Sequence, residues 1–398
     1  MRRLKKKNEG ISTVLTFALV PLSGFAMDVY IPSFPHMAYD LQTSESNIKL
    51  TLTLFIVSYG ISQLFVGSIS DSFGRYKINI ISLIVLILSS LGIALSSDLT
   101  FILGMRFIQG IAISFIAVCK RSFFVDVYTG DKRKHYTSLV TVVWSAAPIL
   151  APFLGGFLQE SFGWRANFYF LALYASIMLV LEWIYSGETI REKHPFKLRY
   201  IFSMYDRLMN ATDFSLGIIV LGLSYSMVMV FGMSIPFIVE HEYHLSALYS
   251  GYCALISGLA IFGGGFLSKK LVNKPLYNKL QLANISQLLI VAVMLFTASI
   301  FHQLYIMMLF VFLIHFWQGF TYNTYFTYAI TSQPKFSATG GGLAGGGSFI
   351  VFSITSYLVG HLITISDQWT LGLAYLIFLL SIQFLLYFVR QAIQKTLE

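Results

Sequence analysis

The sequence predicts an all-α polytopic membrane protein with twelve spanning helices grouped as two six-helix bundles. Three observations predict it. The 398 residues are 56% hydrophobic and only 11% charged, whereas a soluble protein of this length carries about a quarter charged residues. The apolar residues come in runs of about twenty, the length that crosses a bilayer. One long polar stretch, roughly Gly187–Asp213, divides those runs six and six.

Span 1, Ile11–Pro35, follows Arg2-Arg3-Leu4-Lys5-Lys6-Lys7. It resembles a signal peptide only superficially, because the run is too long and no small-residue cleavage site closes it. It reads instead as a cytoplasmic anchor and first helix. Spans 2 to 4 are Ile48–Ser70, Ile78–Ser97 and Thr100–Phe123, the last two separated by a very short turn. Span 5, Tyr136–Gln159, holds two prolines and a glycine pair, and span 6 is Arg165–Tyr185. The second half has Phe214–Val239, Ser246–Leu267, Leu280–Ile300, Leu304–Ile330, Ala338–Ile363 and Thr370–Arg390. The expected organisation is an N-terminal bundle over 1–186, a linker over 187–213 and a C-terminal bundle over 214–398.

Orientation follows from lysine and arginine. One set of alternate loops holds Arg75 and Lys77; Lys132, Arg133 and Lys134; Lys269, Lys270 and Lys274; and Lys335. The N-terminal cluster and the middle loop (Arg191, Lys193, Lys197, Arg199, Arg207) share that side. The other set carries little beyond Lys49 and Arg165, with Asp40, Glu45, Asp98, Glu240, Glu242 and Asp367. Basic loops stay on the inner side, so both termini are expected in the cytoplasm. The same placement turns the net charge of +9 into a topology signal rather than a nucleic-acid footprint. Cys119 and Cys253 both lie in apolar runs, which implies neither a disulfide framework nor a metal site.

Four motifs carry chemistry. In span 1, Asp28-Val29-Tyr30-Ile31-Pro32-Ser33-Phe34-Pro35 puts a carboxylate inside the membrane, where it costs a few kcal/mol and marks an ion or proton path. At about 1.5 Å per residue, Asp28 lies roughly 10 Å in from the outer end of the predicted helix. In span 4, Arg106-Phe107-Ile108-Gln109-Gly110 places an arginine at a similar depth, a partner of opposite charge. The inner end of span 2 offers Gly67 for close helix approach, Asp71 for a cation or a helix N-terminus, then Gly74, Arg75 and Lys77. Arg121 lies at a matching level, and Ser337-Ala338-Thr339-Gly340 forms a candidate N-cap that also faces inward. These contacts are expected to latch the two halves as an inner gate. In span 5, Pro148 and Pro152 bend the helix and free carbonyls, and Gly155 and Gly156 permit tight contact.

Together these strings resemble the major facilitator superfamily, and within it the 12-helix drug:proton antiporters of the bicyclomycin/chloramphenicol-resistance (Bcr/CflA) type. The span 1 string resembles that family's Asp-x-Tyr-x-Pro-x-x-Pro. Gly67–Lys77 resembles the superfamily's loop between helices 2 and 3, and Arg106–Gly110 its helix 4 motif linked to proton coupling. Ala151-Pro152-Phe153-Leu154-Gly155-Gly156 resembles the helix 5 antiporter motif, with Ala where Gly is usual. Gly163-Trp164-Arg165, Arg121 and Asp126 also fit. The resemblance is strongest over Pro21–Phe170. Ser72 departs from the loop motif's common basic residue, Tyr322 precedes Asn323 where the family often has Pro, and helix 11 opens with unusually many glycines. The resemblance implies the major facilitator fold, in which two six-helix halves enclose a midplane site, and proton-driven export.

The second half supplies candidate substrate contacts. His315, Gln318, Tyr322 and Tyr325 are spaced three, four and three apart, on one helical face, with Asn323 alongside. Tyr225 and Met229 share a face of span 7, and adaptable Met plus aromatics suits a broad substrate range. Tyr30 and Gln109 complete the cavity set in the first half. His315 is a candidate second proton site or a histidine bonded to another helix. Glu182 reads as interfacial.

The expected function is a proton-coupled antiporter that exports small organic molecules by alternating access. The alternative is an importer or facilitator of a nutrient or siderophore-like metabolite. An integral-membrane enzyme would need clustered metal ligands or nucleophiles, and only His241 and His244 approach a cluster. No phosphate-cradling glycine-lysine loop is present, and no cofactor, metal or nucleic acid is implied. The expected partners are small-molecule substrates, protons and the lipid bilayer, with the protein a monomer in the bacterial inner membrane.

Overall fold

The computed structural model describes residues 3–190, 198–331 and 337–397. Arg2, Arg191, Lys193, Lys197 and Lys335, used above for orientation, lie outside the described residues, as do the side chains of Ser337, Ala338 and Thr339. The regular elements among the described residues are all helices, apart from one isolated bridge that joins Arg3 to Glu188. It forms two compact units, Met1–Lys197 and Leu198–Glu398.

Unit 1 contains α1 (Glu9–Leu19), α2 (Leu22–Asp28), α3 (Phe34–Asp40), α4 (Glu45–Phe73), α5 (Arg75–Leu95), α6 (Leu99–Val127), α7 (Gly130–Phe162) and α8 (Arg165–Tyr185). Unit 2 contains α9 (Leu198–Met209), α10 (Thr212–Phe237), α11 (Ala247–Lys270), α12 (Leu276–Thr297), α13 (Leu304–Thr331), α14 (Ser337–Leu362) and α15 (Gln368–Leu397). Eleven helical runs among the described residues are long and apolar enough to cross a membrane. The remaining long helix, α7, corresponds to the fifth predicted span and carries both Pro148 and Pro152 within its 33 residues.

Local chemistry sets the helix ends. Ser44 caps α4 by accepting from the Asn47 N–H at 3.3 Å. Asp98 caps α6 by accepting from the N–H groups of Thr100 and Phe101 at 3.0 and 3.2 Å. Such caps satisfy N–H groups that the helix itself leaves orphaned. Gly74 stands between α4 and α5 at φ +100°, a conformation that a side chain disfavours, so the turn there requires glycine.

The structure corrects several boundaries. The first span does not end at Pro35. It runs to Asp40 and is interrupted: α2 stops at Asp28, a 3-10 turn covers Ile31–Ser33, and α3 follows. Proline at 32 and 35 lacks the N–H an α-helix needs, which locates the interruption. Asp28 is therefore deeper than a count from Pro35 suggests, about 18 Å from Asp40 at the α-helical rise. Lys132 and Arg133, expected in a loop, lie in the first turns of α7, because a helix need not stop where the hydrocarbon does.

At the far end of unit 1, Asp40 accepts from the Trp164 indole N–H at 2.9 Å and pairs with Arg165 at 3.5 Å. Asn167 donates to Ser33 at 2.9 Å. These bonds tie the end of the interrupted helix to α8. At the opposite end, which bears Arg75, Leu4 N–H donates to the Glu188 carbonyl at 3.1 Å, so the chain after α8 is bound to the N-terminal arm. In unit 2, α9 is followed by α10 after only a two-residue break.

Candidate functional site

The interruption of the first span builds the centre of unit 1. Asp28 is the last residue of α2 and is 5% exposed. The carbonyls in a helix's last turn lack intrahelical partners, and here the Ala26 carbonyl accepts from Arg106 Nη1 at 3.1 Å. Arg106 is fully buried. Its guanidinium carbon lies 4.3 Å from the ring centroids of both Tyr30 and Phe55, within cation–π range. Nη1 also donates to Gln109 Oε1 at 2.6 Å, and Gln109 Nε2 donates to Ser90 at 2.8 Å. The Tyr30 hydroxyl bonds Thr51 at 2.9 Å.

Asp28 and Arg106 thus meet at one level without a direct ion pair among the described residues. The arginine is held by rings and a backbone carbonyl. Its Nε and Nη2 have no hydrogen-bond partner among the described residues, so the guanidinium keeps donors in reserve beside a buried carboxyl.

The span 5 motif reaches the same place. Gly155 packs so closely on the first span that an added Cβ would collide with the Val29 carbonyl. Only glycine admits that approach, and Val29 is the residue next to Asp28. Pro152 and Gly156 are buried nearby in sequence on α7, and Pro148 is half-buried.

The Arg75 end is a charged network. Arg75 pairs with Asp71 at 2.8 Å and with Asp126, and donates to the Ser122 carbonyl at 3.2 Å. Thr189 donates to Asp126 at 2.7 Å. Glu188 caps α5, accepting from the N–H groups of Arg75 and Tyr76 at 3.2 and 3.3 Å. Gly67 is half-buried, with nothing within 4 Å of an added Cβ among the described residues. Arg121 is exposed, and its neighbour Lys120 is buried.

Glu182 faces the interior of unit 1. It is 0% exposed and pairs with Lys120 at 2.6 Å. Asn79 donates to the same carboxylate at 3.1 Å. Lys120, Glu182, Asn79 and Glu188 form the part that sequence reading missed. A signal was present: Lys120 and Glu182 are opposite charges inside apolar runs, and such charges seek each other.

In unit 2 the predicted stripe on α13 divides. His315 is fully buried with both ring nitrogens engaged, Nδ1 with Ser257 at 2.7 Å and Nε2 with Tyr375 at 3.1 Å. Its two bonds tie α13 to α11 and α15. Gln318 is 0% exposed, and neither atom of its amide has a partner among the described residues. Tyr322 lies tilted against Tyr225 (centroids 5.6 Å apart) and reaches Ser348 at 3.4 Å. Tyr325 is buried and donates to the Asp213 carbonyl at 2.9 Å, which turns it toward the start of α10. Asn323 is exposed and donates back to Gly319 at 2.9 Å. Met229 is buried, and Tyr225 lies 4.8 Å from Phe352. Within the stripe, His315 and Tyr325 are bonded into the bundle, Gln318 is buried, and Tyr322 lies beside Tyr225. No group of three or more metal-ligating side chains occurs among the described residues.

Comparison with known proteins agrees with this architecture. The chain is 29% identical to the uncharacterized MFS-type transporter YdgK of Bacillus subtilis (strain 168) over 86% of each chain. It is 27% identical to the bicyclomycin resistance protein homolog of Haemophilus influenzae over 66% of each. The solved structure of a point mutant of the nucleoside transporter NupG superposes with a TM-score of 0.69 at 12% identity, covering 97% of this chain and 99% of that one, a likeness of fold. The model of the Major Facilitator Superfamily matches residues 16–354, and the chain belongs to that superfamily of membrane transporters.

Proposed function

We propose that this transporter is a proton-coupled antiporter that exports small organic molecules, drugs or metabolites, across the bacterial cytoplasmic membrane by alternating access, with both termini in the cytoplasm. The observation that carries the reading is the arrangement at the first-span interruption. Asp28 is a buried carboxyl at a helix end, and fully buried Arg106 holds unpartnered donors at the same level. A carboxyl that is protonated in one state and draws a guanidinium when ionised in another carries one proton per cycle. Gly155 of the antiporter-like motif presses on the backbone beside it, so movement of α7 is felt at Asp28. An inward proton supplies about 2.3 kcal/mol per 100 mV of membrane potential. The relative named for bicyclomycin resistance favours export. Gln318, Tyr322, Tyr225 and Met229 are the substrate contacts of unit 2, and the protein works as a monomer.

The test uses purified protein in liposomes loaded with a pH-sensitive dye, with chloramphenicol-like and lipophilic cationic compounds added under an imposed proton gradient. Wild type should show substrate-dependent proton movement that Asp28→Asn abolishes. Substrate flux without proton movement, equal in both proteins, would replace the antiporter with a facilitator.

A further inference from the structure

α9 plays no part in that reading, and it is the one described helix of unit 2 that is not a candidate span. Its 12 residues extend about 18 Å at the α-helical rise, short of the roughly 30 Å of hydrocarbon in a bilayer. A helix this short is marginal by itself and persists by burying an apolar face. At 3.6 residues per turn, its described side chains form three stripes. The first is docked: α9 rests on α10 and α14, Leu208 is 1% exposed, and Met204 is half-buried. The second is apolar and uncovered: Phe202 and Met209, seven residues apart, are 55% and 45% exposed. The third is polar and exposed, with Arg199, Ser203, Asp206 and Arg207. The uncovered apolar stripe lies between the docked stripe and the polar one.

Two further observations say what covers it. The first is a tether. The next span begins at Thr212, and a chain reaches at most about 3.6 Å per residue, so Met209 stays within about 11 Å of the place where α10 enters the membrane. The second is charge. At this same end of unit 2, the exposed cations Lys270 and Arg390 lie over the rings of Phe266 and Tyr277, each 5.5 Å from the centroid. Cations of this kind lay their stems on apolar surface and keep the charge among headgroups. The opposite end of unit 2 carries Glu240, Glu242 and Asp367, with no Lys or Arg between α10 and α11, α12 and α13, or α14 and α15. A basic rim is drawn to the phosphates of a lipid surface. A short helix with an apolar stripe beside a polar one that bears two arginines against one aspartate has the build of a helix lying in that surface.

We propose that α9 is a membrane-surface helix whose partner is the phospholipid headgroup layer, with Phe202 and Met209 inserted at the acyl boundary and Arg199 and Arg207 at the level of the lipid phosphates. The docked stripe then holds the helix to unit 2 while the apolar stripe holds it to the bilayer, and the polar stripe faces headgroups and water. So anchored, α9 fixes the depth at which α10, the helix of Tyr225 and Met229, starts. The inference needs the membrane fold alone and holds whether or not Asp28 couples protons.

The experiment uses the purified full-length protein in vesicles of phosphatidylethanolamine and phosphatidylglycerol. Phe202→Cys, Met209→Cys and Ser203→Cys are made singly and spin-labelled. The native thiols of Cys119 and Cys253 are buried, and wild type carried through the same labelling supplies the blank. Collisions of each label are measured with oxygen, which concentrates among acyl chains, and with a water-soluble nickel chelate. The expected result is an oxygen-to-nickel collision ratio several-fold higher at both apolar positions than at Ser203. Ratios at the two apolar positions no higher than at Ser203 would set the stripe in water and overturn the proposal. Labels shielded from both reagents would show protein over the stripe, from the preceding linker or a second copy, and overturn it equally. A raised ratio at one apolar position only would break the stripe and count against it as well. All three positions are exposed, so the substitutions leave the packed core untouched, and the two apolar positions check each other. Failure of this test leaves the antiport reading as it stands.

Discussion

The polar cores of the two halves differ in kind. Unit 1 buries Asp28, Lys49, Arg106, Lys120, Glu182 and Glu188. Unit 2 buries Ser, Thr, Asn, Gln and one His, and no Asp, Glu, Lys or Arg among its described residues. A buried charge is expensive and persists where it is paired or used, so the cost of ionic chemistry is concentrated in the first half. The second half has hydrogen-bonding groups whose charge does not change with a passing proton. His315, the one candidate exception, has both nitrogens bonded. Under the proposed function, ion coupling would fall to the first half and substrate contact to the second.

The sharpest way to break that comparison is to move the coupling. Asp28→Asn should eliminate substrate-driven proton movement in liposomes, while Ser257→Ala, which frees one nitrogen of His315, should leave it intact. Coupling lost in the second variant would return His315 to the proton path. Next in size, Lys120→Met leaves Glu182 buried without its cation and should destabilise unit 1 by about 3–5 kcal/mol. The double variant Lys120→Met, Glu182→Leu should recover most of the loss, as read by denaturant or thermal unfolding in detergent. A smaller effect is expected of Gly155→Ala. Its Cβ must displace the Val29 carbonyl, and overpacking of this sort costs about 1–3 kcal/mol. The informative readout is that proton-coupled transport should fall more than protein yield does, because the displaced atom is next to Asp28. The smallest is Tyr375→Phe, which removes one hydrogen bond to His315 at about 1 kcal/mol, with coupling unchanged.

Much of the candidate site was legible because intramembrane charges are rare. Asp28 and Arg106 stood out inside apolar runs, and counting residues put them near one depth. Their relation was not legible. Pro32 and Pro35 locate the break in the first span, but only the packed helices show that Arg106 takes the Ala26 carbonyl in place of the carboxylate. The Arg75 network shows the same limit. Asp71 and Arg75 are four apart on one helix, so their pairing is local. Asp126, Thr189 and Glu188 reach Arg75 from other elements. At the end of α6 one position decides which side chain faces the bundle, and the structure turns Lys120 in while Arg121 is exposed.

By itself, the sequence determined the membrane as solvent, the all-helical fold and the superfamily. Each of these depends on period, length and composition, which are properties of contiguous residues. Tertiary structure decided which charges meet, which polar atoms are left without partners, and where glycine is indispensable. Those depend on contacts between residues far apart in the chain, such as Leu4 with the Glu188 carbonyl. In a low-dielectric interior a displacement of one helical position separates a paired charge from an exposed one, and no local pattern carries that information.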